Sequence, residues 1–327
     1  MPLTDLPLEE LRAYRAEVTE PADFDAFWTR TLAAARAAEG APAVYRPVTG
    51  SPLRTVDAYD VRFPGWDGQP VAAWLLLPHG TADGAGLPAV ITYGGYNTGR
   101  GRHFERLLWA SSGYAQLVVD NRGQGDTTPD PDQSPAPQAP RGFLTRGITD
   151  PEHYYYRRLM TDAVRAVDAL RAHPAIDPAR VIVSGGSQGG GLALATAGLS
   201  GDAVAAALID VPFLCHFRRA ALIAPDGPYP ELEAYLGQRQ LADPETAFST
   251  LDYFDGVHFA PRSRVPALFS VGLMDPVCPP STVFAAYHRY GAAADITVWP
   301  FGDHAGGRAA QPERQLHWLA GLGLSGL

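Results

Sequence analysis

Cysteine is nearly absent: among 327 residues only Cys215 and Cys278 occur, far apart and in no C-x-x-C spacing. That excludes a disulfide framework and a cysteine zinc site, and leaves two free thiols suited to a reducing compartment. Runs of Lys or Arg are also missing, and the formal net charge is −9 with a pI near 5.4. Such a surface repels phosphate backbones and anionic lipid, so neither nucleic acid nor a membrane is an expected partner. The opening MPLTDLPLEELRAY has acids where a secretory leader would have a basic and then an apolar segment, and no later stretch approaches a membrane span. A cytoplasmic location is the expectation. Neither an internal repeat nor a linker-like stretch is visible. With 46% hydrophobic and 19% charged residues, the chain can build one large core, so a single domain over 1–327 is expected.

What is present is a regular alternation. Residues 19–38 predict an amphipathic helix, with Thr19 as cap, Pro21 near the first turn, and Phe24, Phe27, Trp28 and Leu32 at helical spacing. It forms the main part of an N-terminal helical extension over 1–40. The runs VDAYDVRF, VAAWLLLP and PAVITY, separated by Gly and Pro clusters, predict strands in a meander. Strand-like AQLVVD, helix-like HYYYRRLMTDAVRAVDALRAH, strand-like RVIVSG, a further helix and strand-like AVAAALID then follow. That rhythm is α/β: a mostly parallel central sheet flanked by helices. Two segments break it. Residues 126–141, rich in Pro, Asp and Gln, predict a long loop, either functional or an interface arm. Residues 212–256 predict a helical insertion placed where a cap over a site could form.

The chemistry concentrates in RVIVSGGSQGGGLALATAGL, where a strand passes through Gly185, Gly186, Ser187, Gln188 and Gly189 into an Ala- and Leu-rich helix. This is the G-x-S-x-G nucleophile elbow in its required context. A hydroxyl on so tight a turn needs small neighbours, and the helix N-terminus favours developing negative charge. A phosphate loop does not fit, because Gly191 stands where Lys is needed and Leu194 where the last glycine of G-x-G-x-x-G belongs.

A serine hydroxyl needs a base, and in this fold the order is serine, acid, histidine. Three histidines follow residue 260: His288 and His317 fall in helix-like stretches, whereas His304 follows strand-like ITVWPF in the loop GDHAGG. His304 is therefore the expected base. Asp275, directly after strand-like ALFSVG, is the expected acid that orients the imidazole, with Asp210 as the next candidate and Asp303 disfavoured by its adjacency to His304. The expected oxyanion donors are the backbone N–H groups of Gln188 and of Tyr96, the latter in Gly94-Gly95-Tyr96-Asn97 after strand-like AVITY. The Tyr96 ring would also wall the acyl pocket. Acyl transfer of this kind requires no metal or cofactor.

Taken together, GGYNTGRG, DNRGQGD, GFLTRGITDPEHYYYRRL, GGSQGGG, DVPFLCHFRRA, YFDGV and ALFSVGLMDPVCPPSTVFAAY resemble, in the same order and over nearly the whole chain, the acetyl xylan esterase and cephalosporin C deacetylase family, carbohydrate esterase family seven. The resemblance implies an α/β-hydrolase fold and a serine esterase that deacetylates small substrates such as acetylated xylo-oligosaccharides and cephalosporin C. A peptidase or broader carboxylesterase on the same fold is the alternative. It implies the triad Ser187, Asp275 and His304, with Tyr96 and Gln188 as the oxyanion hole. It also implies homohexamers, trimers of dimers, to which the 126–141 arm would contribute. Arg122, in the family's Arg122-Gly123-Gln124-Gly125 block, is expected to hold a loop near the site rather than to act in catalysis. One position departs from the family pattern: Ala305 follows His304 where Glu is usual.

Overall fold

A computed structural model describes residues 5–131, 142–239 and 244–326. Among the described residues nine strands form one sheet: β1 (Val44–Pro47), β2 (Val56–Pro64), β3 (Pro70–Pro78), β4 (Leu87–Tyr93), β5 (Ala115–Val119), β6 (Ile176–Gly186), β7 (Ala206–Asp210), β8 (Ala267–Gly272) and β9 (Ala294–Trp299). Their spatial order is β1-β2-β3-β5-β4-β6-β7-β8-β9. Strands β1, β2, β3 and β5 pair antiparallel, and every pairing from β5 and β4 through to β9 is parallel. This is the α/β-hydrolase arrangement, with helices covering the sheet.

The expected meander extends only through β3. Strand β4 lies between β5 and β6, so β3 meets β5 instead. The burial pattern explains the difference. β4 is enclosed along almost its whole length and belongs at the sheet centre, whereas β2 alternates between buried and partly exposed positions, as an outer antiparallel strand does. β1, which periodicity did not reveal, is a short and largely exposed edge strand ending in proline.

A short helix, Leu8–Ala13, comes first, and the first long helix runs from Phe24 to Ala37, starting five residues later than the 19–38 pattern predicts. The preceding residues are held otherwise: Glu20 pairs with Arg262 at 2.8 Å, and the Phe24 N–H closes a turn on the Pro21 carbonyl at 3.1 Å. Phe24, Phe27, Trp28 and Leu32 are buried as expected. Trp28 donates to the Tyr253 carbonyl at 2.9 Å and meets Phe254 and Phe259 edge to face, which joins this helix to the region before β8.

Between β7 and β8 the chain forms helices Phe217–Ile223, Tyr229–Arg239 and Glu245–Leu251. Residues 132–141 of the predicted arm lie outside the described residues. Just before them, Asp130 is buried and gripped by Arg158 at 2.8 and 2.9 Å, with Arg146 at 3.3 Å. Among the described residues no helix is long and apolar enough to cross a membrane.

Candidate active site

Strand β6 ends at Gly186 and helix Gln188–Ser200 begins one residue after Ser187, which takes φ 57° and ψ −123°. That conformation is costly for a residue with a side chain, so the surroundings must enforce it. They do so by backbone bonds: the Ser187 N–H donates to the Asp210 carbonyl, and the Ser187 carbonyl accepts from Phe213 N–H, each at 3.0 Å. Glycine is demanded at particular positions of the turn. A Cβ on Gly185 would lie 2.3 Å from the Gly189 carbonyl carbon, and one on Gly189 would lie 2.3 Å from the Tyr93 carbonyl oxygen.

The loops after β8 and β9 are clasped together. Leu273 N–H donates to the Trp299 carbonyl at 3.1 Å and Met274 N–H to the Gly302 carbonyl at 2.9 Å. Gly272 permits the approach, since a Cβ there would meet the carbonyl oxygens of Gly302 and Asp303 at 2.6 Å. Asp275 and His304 are thereby brought to one place. The Asp275 carboxylate is fully buried, and its Oδ1 accepts from the N–H groups of Val277 (2.8 Å) and Cys278 (3.0 Å). Its Oδ2 stands 2.8 Å from His304 Nδ1, and His304 Nε2 stands 2.9 Å from Ser187 Oγ. With Nδ1 donating to the carboxylate, Nε2 is left to accept the serine proton.

The other candidates are engaged elsewhere. Asp210 accepts from Ser270 (2.7 Å), Gln311 (2.8 Å) and Gln315 (2.6 Å), and burial pushes its carboxyl up to about 6. Asp303 caps its own loop by accepting from Ala305 N–H and Arg308. His288 and His317 lie in helices Pro280–His288 and Ala310–Gly321. Arg122 is wholly buried and makes a two-pronged pair with Asp162 at 2.6 and 2.8 Å, with Gln69 accepting at 2.7 Å. It supports the loop and does not reach the triad residues.

Both cysteines are free and buried. The ligand atoms of Asp275, Cys278 and His304 lie within 4.8 Å of one another, so the three could in principle hold a metal ion. However, the imidazole already spends Nδ1 on Asp275 and Nε2 on Ser187, so a metal would have to break the line. Burial, and then the charge of Asp275, push the Cys278 thiol well above its ordinary value. It stays protonated and is no rival nucleophile to Ser187.

Two backbone N–H groups beside the serine are candidate oxyanion donors: Tyr96, which lines the same cavity as Ser187, and Gln188, the next residue in the chain. Gln188 is the first residue of its helix, so its N–H has no partner within the helix. The Tyr96 N–H makes no backbone hydrogen bond among the described residues. The Tyr96 loop is pinned by Asn121, whose Nδ2 donates to the Gly95 and Thr98 carbonyls at 3.1 and 2.9 Å. Gly94 is needed there because its Cβ would meet that same amide at 2.8 Å, while a Cβ on Gly95 would make only an ordinary contact with Thr98 Oγ1 at 4.0 Å. Ser187, His304, Tyr96 and Asn97 line a cavity of about 440 Å³ together with Gly227, Pro228, Glu231 and Val277. A larger cavity of about 540 Å³ adjoins it at Gly227 and Glu231 but contains none of the triad residues. Glu231 and the side chain of Gln124 are parts of this site that sequence reasoning did not single out. Gln124 carried a signal in its glycine-flanked block, whereas Glu231 lies in the 212–256 helical insertion, where no motif marks one residue over another.

Residues 1–322 match the acetyl xylan esterase family. This chain belongs to that family. Two solved acetyl xylan esterases resemble it along nearly their full lengths. That from Paenibacillus sp. R4 is 38% identical with a TM-score of 0.92, covering 97% of this chain and 99% of its own. Acetyl xylan esterase 1 from Thermoanaerobacterium is 31% identical with a TM-score of 0.87, covering 98% and 99%. Acetyl esterase Axe7A of Xylanibacter ruminicola is 29% identical over 295 residues, 87% of this chain. The chain spans 63% of the length of that relative.

Proposed function

We propose that this chain is a serine esterase that removes acetyl groups from small acetylated carbohydrates, xylo-oligosaccharides foremost. Ser187 is the nucleophile, His304 the general base and then acid, Asp275 the group that orients the imidazole, and the Tyr96 and Gln188 N–H groups the oxyanion donors. The observation that carries this reading is the unbroken line from Asp275 Oδ2 to His304 (2.8 Å) and from His304 to Ser187 Oγ (2.9 Å). Membership of the acetyl xylan esterase family supports the acetyl preference.

In the first step His304 Nε2 takes the Ser187 proton as Oγ bonds to the acetyl carbon. The carbonyl electrons move to oxygen, where the two N–H groups and the helix N-terminus stabilise the charge. When the tetrahedral species collapses, the alcohol leaves with the proton from His304 and the acetyl group stays on Ser187. Water then attacks the acetyl-enzyme as His304 accepts its proton, acetate departs, and the proton returns to Oγ. Buried Asp275 stabilises the imidazolium in both steps without becoming protonated.

The reading extends to cephalosporin C as a second substrate, to a homohexamer of paired subunits, to one domain over the chain and to a cytoplasmic setting, each supported by the sequence blocks or by composition alone. Turnover of 4-nitrophenyl acetate tests its centre: Ser187→Ala should abolish it, and activity within tenfold of the parent sinks the assignment. A panel of acetylated sugars and cephalosporin C compared by kcat/KM ranks the substrates. Faster cleavage of an octanoate ester, or hydrolysis of peptide amides, would move the reading to a broader carboxylesterase or a peptidase.

A further inference from the structure

Behind the oxyanion loop, three distant segments meet on a single phenol oxygen. Tyr96 Oη accepts the N–H groups of Phe143 at 2.5 Å and Leu144 at 3.2 Å. It faces both carboxylate oxygens of Glu231, on helix Tyr229–Arg239, at 2.8 and 2.9 Å. The tyrosine ring itself is wedged edge-to-face between Phe143 and Phe213, with centroids 6.0 Å from each. Because a phenol has one proton and two lone pairs, and the lone pairs are taken by backbone donors, that proton must go to Glu231. Burial raises the pKa of both groups, consistent with a shared, poorly solvated bond.

We infer that Glu231 is a positioning residue for acyl transfer: by holding the Tyr96 phenol it fixes the peptide whose N–H donates to the developing oxyanion. The inference rests on the esterase reading above. A donor that drifts by a fraction of an ångström loses much of its value, because preorganisation is what makes such a hydrogen bond effective. Glu231 borders the reaction cavity, but its carboxylate is committed to Tyr96 and, at 3.4 Å, to the Leu144 N–H. It acts on the substrate through the tyrosine. Removing the carboxylate leaves a partly buried phenol proton without its acceptor and frees the ring to turn.

The test is a double-mutant cycle on full-length protein, with 4-nitrophenyl acetate and phenyl acetate as substrates. Glu231→Ala should lower kcat roughly tenfold, short of the 10²–10³ for complete loss of a donor, with KM little changed and the same factor for both leaving groups. Glu231→Gln, which keeps an acceptor oxygen, should recover most of that loss. Tyr96→Phe should match Glu231→Ala, and the double variant should be no slower than either single one. Affinity for a boronic acid that mimics the tetrahedral intermediate should fall in step with kcat, which a general loss of stability would not produce. The inference is overturned if kcat of Glu231→Ala stays within twofold of the parent, if the two effects multiply, or if KM changes with the leaving group instead. Should Glu231→Ala fail to fold, Tyr96→Phe and Glu231→Gln decide alone: a parent-like Tyr96→Phe overturns it. Ser187→Ala, assayed alongside, separates the two levels. If it retains activity the esterase reading itself has failed, and if it is inactive while Glu231→Ala is unimpaired only this inference has.

Discussion

Gln124 and Gln188 pair their side-chain amides reciprocally. Gln124 Nε2 donates to Gln188 Oε1 at 2.8 Å, and Gln188 Nε2 returns a bond to Gln124 Oε1 at 3.1 Å. The same Gln124 oxygen accepts the Asn97 N–H at 2.8 Å, and Gln188 Oε1 also accepts from Tyr156 at 2.9 Å. One amide pair therefore joins the loop after β4 to the helix after Ser187, the two segments that supply the proposed oxyanion donors.

Gln124→Ala should in consequence loosen both donors at once. The expected result is a fall in kcat of about tenfold or more with KM nearly unchanged, since the interaction gained is one made in the transition state. Steady-state kinetics on an aryl acetate checks it, and an unaltered kcat would show that backbone contacts suffice to hold the two loops.

The glycines around Ser187 are not equivalent. Gly189→Ala places a Cβ 2.3 Å from a backbone oxygen and should destabilise by about 3 kcal/mol as strand and helix are pushed apart. At Gly186 the nearest atom lies 3.9 Å away and φ is not positive, so Gly186→Ala should change stability by no more than about 0.5 kcal/mol. Urea unfolding of the two variants compares them directly.

Arg122 and Asp162 have side chains 0% and 1% exposed, so each neutralises the other where water cannot. Asp162 also accepts the Trp66 N–H at 2.8 Å. Arg122→Met strands that carboxylate and should cost about 3 kcal/mol of stability, while kcat/KM of the protein that remains folded changes little. A large kinetic defect without loss of stability would assign Arg122 a direct part in the reaction.

Asp210 keeps slight exposure in a cavity beside Ser187 and His304, yet burial raises its carboxyl from 3.8 to about 6. A raised value means that the folded state holds the proton more tightly than the unfolded chain. The resulting contribution is complete below 3.8 and is lost as pH rises through about 6. Relative to Asp210→Asn, the parent should therefore lose stability between these limits and run parallel to the variant above pH 7. Unfolding midpoints measured across this range test the sign, and an opposite slope would mean that the hydrogen bonds from Ser270, Gln311 and Gln315 outweigh burial.

Much of the site was legible in the sequence because its chemistry is local. The turn at Ser187 demands glycine within two residues on either side, and Asp275 and His304 each follow directly on an apolar, β-branched run that reads as a strand. The start of the first long helix was less legible. Phe24, Phe27, Trp28 and Leu32 mark its buried face, but Thr19 looked like its cap and instead precedes a stretch that Glu20 ties to Arg262. A long-range ion pair displaced a local signal there.

By itself, the sequence determined the strand and helix alternation, the elbow and the order serine, acid, histidine, since periodicity and turn chemistry depend on near neighbours. Only the tertiary structure decided that β5 lies between β3 and β4, that Glu231 grips Tyr96 across 135 residues, and that Gln124 meets Gln188 across 64. Such pairings carry no local pattern, because they form only where packing of the whole sheet and its helices brings buried polar groups together and leaves each in need of a partner.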